Sequence, residues 1–127
     1  MEKKNIDWSS IGFAYMPTDY RYVSNFKDGK WDEGTLSTDP NIVLNECAGV
    51  LQYSQSVFEG LKAYTTEDGH IVTFRPDLNA ERLAASAARL EMPVFPKERF
   101  IDAVEQVVKA NAAWVPPYGS GATLYLR

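Results

Sequence analysis

Cysteine and histidine each occur once in the 127 residues, as Cys47 and His70. A lone cysteine forms no intrachain disulfide, which fits a reducing cytoplasm, and the usual role of such a residue is that of a small buried apolar side chain. One histidine and no Cys-x-x-Cys spacing leave no ligand set for a metal. They also leave every Ser or Cys nucleophile dependent on the same imidazole for its base. No apolar run nears the roughly 20 residues that cross a membrane, and no signal-length apolar stretch follows the charged start at residues 1–8. These absences describe a soluble, cytoplasmic protein without a membrane partner. An excess of positive charge is missing as well. Lys and Arg total 13 against 17 Asp and Glu, a net charge of -4, and the basic residues are scattered, which excludes nucleic acid as the main partner. No Walker-type loop exists. Gly119-Ser-Gly121 lacks the third glycine of a dinucleotide loop, since Leu124 stands there, and no helix follows it; it reads as a turn.

What remains is an ordinary globular composition, 45% hydrophobic and 24% charged, at a length that suits one domain with its own core. Residues 20–34 read as two short strands around Asp28-Gly29, a pair that tolerates the positive φ of a tight turn. Leu61–Tyr64 and His70–Phe74 read as a second hairpin around residues 65–69. A helix follows, capped by Asp77 or Asn79 and running to about Glu91, where Met92-Pro93 ends it. A second helix starts at Pro96 and runs to about Ala113, with Phe100, Val104, Val107, Val108 and Asn111 on one stripe. Pro116-Pro117 and Tyr118-Gly119 force a loop, and Thr123–Arg127 alternates as a strand does. Strands, two helices and a strand predict an α+β fold, two layers with a mostly antiparallel sheet packed by helices.

Three groups of residues could carry chemistry. Arg82 lies in the first turn or so of its helix, where the macrodipole disfavours a cation. A phosphate bound there would offset that cost through free N–H groups and the guanidinium fork; the other reading is an exposed arginine on an amphipathic helix. Tyr125 and Arg127 are two apart in a strand and share a face, with Leu124 and Leu126 on the other. Together they can receive a carboxylate, or form the solvent side of a half-buried strand. Residues 51–64 hold Tyr53, Phe58 and Tyr64, either core or pocket wall, with Gly60 permitting close backbone approach.

In order along the chain, Phe58-Glu-Gly-Leu-Lys-Ala-Tyr64, Phe74-Arg-Pro-Asp-Leu-Asn-Ala-Glu-Arg82, Ser86-Ala-Ala-Arg-Leu-Glu-Met-Pro93, Trp114-Val-Pro-Pro117 and Leu124-Tyr-Leu-Arg127 resemble successive blocks of the branched-chain amino acid aminotransferases, fold type IV pyridoxal-phosphate enzymes. The resemblance spans roughly residues 12–127. It implies that residues 1–127 are the N-terminal small domain of such an enzyme, with the large C-terminal domain and its Schiff-base lysine outside the chain. It implies that Arg82 binds the phosphate of pyridoxal 5′-phosphate, that Tyr53 and Phe58 wall the substrate pocket, and that Tyr125 and Arg127 help place substrate carboxylates. The implied reaction moves an amino group between leucine, isoleucine or valine and 2-oxoglutarate, giving glutamate, in a homodimer that closes the site.

Some positions depart from the family. Leu51-Gln-Tyr-Ser-Gln55 stands where members often read Leu-His-Tyr-Gly-Gln, so Gln52 and Ser54 are substitutions that keep polar or small side chains. Pro17 occupies a position that is often aromatic. No lysine matches the Schiff-base block; Lys62 lies in the Phe-Glu-Gly block instead. The chain alone is therefore expected to be inactive. Two further readings stay open: a D-amino acid aminotransferase or aminodeoxychorismate lyase on the same fold, or a non-catalytic assembly module.

Overall fold

The computed structural model describes all 127 residues, Met1–Arg127. After a single 3-10 turn at Trp8–Ser10, four short strands form one long broken hairpin: β1 (Arg21–Val23), β2 (Phe26–Lys27), β3 (Lys30–Trp31) and β4 (Thr35–Ser37). Asp28 (φ 52°) and Gly29 (φ 79°) make its tip, both in the left-handed region that a two-residue turn of this kind needs. β2 pairs β3, and β1 pairs β4, both antiparallel. Between the two ladders the Asp32 carboxylate accepts from Ser24 Oγ at 2.9 Å and from the Gly34 amide at 2.9 Å, so side chains bridge the break.

The central sheet has three strands in the order β6-β5-β7, all antiparallel: β5 (Leu61–Thr65), β6 (Ile71–Thr73) and β7 (Leu124–Leu126). Alternation along β5 sends Leu61 and Ala63 inward and Lys62 and Tyr64 outward. β7 aligns Leu124 with Ala63, Tyr125 with Lys62, and Leu126 with Leu61, so the leucines join the inward face. α3 (Lys97–Ala110) covers that face with Val104 and Val108, and Val115, fully enclosed, fills the space beyond its end. The Trp114-Val-Pro-Pro117 block thus delivers a core residue. α2 (Pro76–Arg89) packs beside α3. The α+β, mostly antiparallel architecture expected from the sequence is the one observed.

Several local expectations are corrected. Neither Asp77 nor Asn79 caps α2. The helix starts at Pro76, behind Arg75 in the left-handed region (φ 46°), and the Asp77 carboxylate takes the Arg75 guanidinium instead, at 2.9 and 2.7 Å. α2 ends at Arg89, before Glu91. There the Met92 amide donates to the Ala87 carbonyl (2.8 Å) and the Glu91 amide to the Ala88 carbonyl (3.1 Å), with Glu91 at φ 54°. That is a Schellman closure with a glutamate where glycine fits best. Pro96 is the residue before α3 and not its first turn; the helix stops at Ala110, and a 3-10 turn, Ala112–Trp114, follows. A short helix that the sequence pattern did not announce, α1 (Gly49–Tyr53), closes on Ser54 at φ 52°. Cys47 is exposed and not buried: it lies in a turn where its amide donates to Asn45 Oδ1 at 2.9 Å, away from any core.

Asn111, 3% exposed, shows how the N-terminal segment is tied down. Its Nδ2 donates to the Tyr20 carbonyl (2.9 Å) and its Oδ1 accepts the Tyr20 amide (2.9 Å), which reproduces the paired bonds of a strand ladder with one side chain. The hairpin is fastened by Trp31, edge-on to both Phe26 and Phe95, whose Nε1 donates to the Val94 carbonyl at 2.9 Å.

Burial is sparse for this length. The accessible surface is 9218 Å², whereas a compact monomer of this mass exposes about 6,800 Å². The surplus of about 2,400 Å² is the area of a substantial interface. Large apolar side chains supply much of it, among them Phe13, Ile42, Val43, Tyr53, Phe58 and Phe74, each more than two-thirds exposed. No helix is long and apolar enough to cross a membrane.

Candidate functional site

The outward face of the three-stranded sheet is open, and α2 reaches its edge through Asn79. Gly60, Lys62, Tyr64, Phe74, Asn79 and Tyr125, with Leu61, line a shallow open cleft of about 300 Å³ there. Tyr125 lies over the backbone of Gly60: a Cβ added to Gly60 would stand 2.8 Å from Tyr125 Cε2 and 3.0 Å from Cζ. Only glycine permits this approach, as the sequence suggested. The larger cavity, about 650 Å³, lies elsewhere, between the N-terminus, β6 and α3. It holds none of the residues singled out by the sequence, so its size does not make it the site.

At the mouth of the open face lies a charge cluster built on Glu59. This carboxylate is 8% exposed, yet Arg82 grips it with two parallel bonds, Nε to Oε1 and Nη2 to Oε2, the latter 2.7 Å. Asn79 Nδ2 adds a bond to Oε2 at 2.8 Å and another to the Gly60 carbonyl at 3.2 Å; the Gly60 amide donates to Oε2 at 3.3 Å. Asn79 and Arg82 are one turn apart on α2, so both reach the residue preceding β5. Arg82, followed by Asn79, holds the Glu59 carboxyl below its ordinary value of 4.5, and Glu59 in turn raises the Arg82 guanidinium. The pair is therefore intact above the lowered carboxylate pKa and breaks only as pH falls through it, in acid.

The Arg82 side chain remains 67% exposed and donates no bond besides the two to Glu59, so its other N–H groups are open to a ligand. Arg82 sits in the second turn of α2, further along than the sequence reading placed it, so the helix terminus offers less support to an anion than supposed. The guanidinium itself, clamped from below, fits a phosphate.

The other sequence-chosen residues are placed as follows. Tyr125 lines the cleft, half-exposed. Arg127, exposed, follows β7 immediately, two residues on from Tyr125. Tyr53 ends α1 and Phe58 precedes Glu59, with rings 85% and 80% exposed; neither lines the cleft, and both are unburied rather than core. Sequence reasoning missed Glu59 and Asn79. Their only signals were an acid beside the tight Gly60 and an amide one turn before Arg82. The surface as a whole can receive a small molecule with an anionic group and a flat or apolar body.

The open cleft and the charge cluster beside it define a candidate site on an α+β domain, and known proteins match the chain over nearly its whole length. No family model matches the chain. It is 55% identical over 98% of its length to a branched-chain-amino-acid aminotransferase of Haemophilus influenzae, and 46% identical over 98% to that of Helicobacter pylori. A methionine aminotransferase of Arabidopsis thaliana is 48% identical over 97%. The chain is homologous to the N-terminal part of the branched-chain-amino-acid aminotransferases. It spans about a third of the length of these curated relatives, 36% of the two bacterial ones.

Proposed function

We propose that this chain is the N-terminal small domain of a pyridoxal-phosphate-dependent branched-chain aminotransferase of the cytoplasm. The complete protein transfers the amino group between leucine, isoleucine or valine and 2-oxoglutarate. The observation that carries the reading is the 55% identity to a named enzyme of this kind over nearly the whole chain. The geometry supports it: a sheet face left bare, an exposed arginine fixed at its edge, and a surface surplus that calls for a further layer of protein. That layer is supplied by the rest of the enzyme and by the partner in a homodimer.

Arg82 holds the cofactor phosphate by a charge-assisted fork. Bound pyridoxal phosphate supplies the electron sink for amino-group chemistry. Tyr125 and Arg127 take the substrate carboxylate, and Arg127 in particular admits the glutamate side chain in the second half-reaction. Tyr53 and Phe58 form apolar wall against the branched side chain and exclude water from it. A lysine outside this chain moves the proton, since none of the seven present matches that role.

Glutamate formation from leucine and 2-oxoglutarate, measured on the complete protein, tests the reading. Activity with D-alanine and none with leucine would overturn it in favour of the D-amino acid reading. Arg127→Ala is expected to impair glutamate more than leucine; unchanged glutamate kinetics would remove Arg127 from its role. The Arabidopsis relative makes methionine, an unbranched thioether of similar size, a further donor to include.

A further inference from the structure

We propose that Glu59 is a positioning residue for the cofactor phosphate, acting through Arg82; this rests on the assignment of Arg82 as phosphate ligand. A buried carboxylate beside an anion site is unfavourable by simple charge, because it repels what the arginine attracts. Its retention here has a geometric account. Arginine loses considerable rotamer freedom when it is held in one place. Glu59 fixes that freedom in advance: the Nε and Nη2 edge is consumed by the two carboxylate oxygens, one bond being 2.7 Å. The opposite edge of the same planar group is thereby aimed, and stays 67% exposed as a side chain.

Glu59 is itself held. Asn79 Nδ2 at 2.8 Å and the Gly60 amide at 3.3 Å fix Oε2, and Asn79 bridges onward to the Gly60 carbonyl at 3.2 Å. Gly60 is the residue over which Tyr125 lies. One buried acid thus sets the phosphate-holding group of α2 relative to the strand floor on which the substrate side of the cleft is built. A tighter hold arises because the entropy of arranging the arginine is lost on folding and not on binding.

Charge and positioning predict opposite signs, which makes the idea testable on the complete, cofactor-free protein. The dissociation constants of pyridoxal 5′-phosphate and of phosphate-free pyridoxal are measured by absorbance for wild type, Glu59→Gln, Glu59→Asp, Asn79→Ala and Arg82→Ala. The expected result is about tenfold weaker pyridoxal 5′-phosphate binding in Glu59→Gln and Glu59→Asp, the scale of losing an outer partner that orients a ligand-holding group. Pyridoxal affinity is expected to stay unchanged. Unchanged or tighter pyridoxal 5′-phosphate binding in Glu59→Gln, with Arg82→Ala strongly weakened, overturns the role of Glu59 and leaves the assignment of Arg82 standing. Arg82→Ala without effect overturns that assignment itself. Equal weakening of both ligands marks Glu59 as a structural brace only and overturns the proposal. Should the Glu59 variants fail to fold in a thermal melt, Asn79→Ala decides alone: it keeps both charges and is expected to weaken only the phosphorylated ligand, by a few-fold, and equal or absent loss overturns the proposal.

Discussion

The two faces of the β6-β5-β7 sheet are made by alternate residues of the same strands, yet they obey different rules. On the inward face Leu61, Ala63, Leu124 and Leu126 meet Val104 and Val108 of α3, and Ala63 is fully enclosed. On the outward face Lys62, Tyr64 and Tyr125 line an open cleft that α2 reaches through Asn79. The inward face is closed by shape; the outward face is left for whatever binds there. Neighbouring residues in one strand should therefore respond to the same substitution in opposite fashion.

The sharpest break in this contrast is a charge at either of two adjacent positions. Ala63→Asp, which buries a carboxylate without a partner, is expected to cost about 4 kcal/mol or more of stability by urea unfolding. Tyr64→Asp should cost about 1 kcal/mol, because water reaches that side chain. Similar losses at both would mean that the outward face is as enclosed as the inward one. Gly60→Ala comes next. It strikes Tyr125, which can swing outward, so stability should fall by only about 1 kcal/mol, the low end for overpacking. The tyrosine, however, leaves its place over the strand, and KM for leucine should rise in the complete protein; an unchanged KM would detach Tyr125 from substrate. The smallest effect lies off both faces. Glu91→Gly relieves a left-handed glutamate at the end of α2 and should raise stability by about 0.5–1 kcal/mol in the same unfolding assay.

How far the sequence foretold this contrast depends on the range of the signal. Alternation in Thr123–Arg127 sorted Tyr125 from the leucines correctly because strand period is a local property. The Asp28-Gly29 turn was legible for a similar reason, a backbone that few residue pairs tolerate. The apolar stripe of α3 pointed to Val104 and Val108. Aromatics in residues 51–64 were harder: composition marks them as apolar but does not say whether a core or an open surface takes them. α1 escaped notice because a five-residue helix has little propensity signal of its own and depends on its surroundings. The start of α2 was misplaced although Pro76 announced it, proline being favoured at the first helical position. The Glu59–Arg82 pair joins residues 23 apart, and only the seating of α2 against β5 brings them together. No spacing rule encodes that, whereas family resemblance pointed to Arg82 without showing what supports it.

β7 pairs with the edge of β5 across a long stretch of chain, Leu61 facing Leu126. The β5–β6 hairpin and the α2–α3 pair are short-range and can assemble early, but β7 must pay a large loop-closure entropy before it is rewarded. Until it arrives, β5 offers a row of unpaired amides and carbonyls, a template for the wrong strand from another molecule. The arrival of β7 turns β5 from an edge into the central strand and passes the exposed edge to β7 itself, which at three residues is a short template for mispairing.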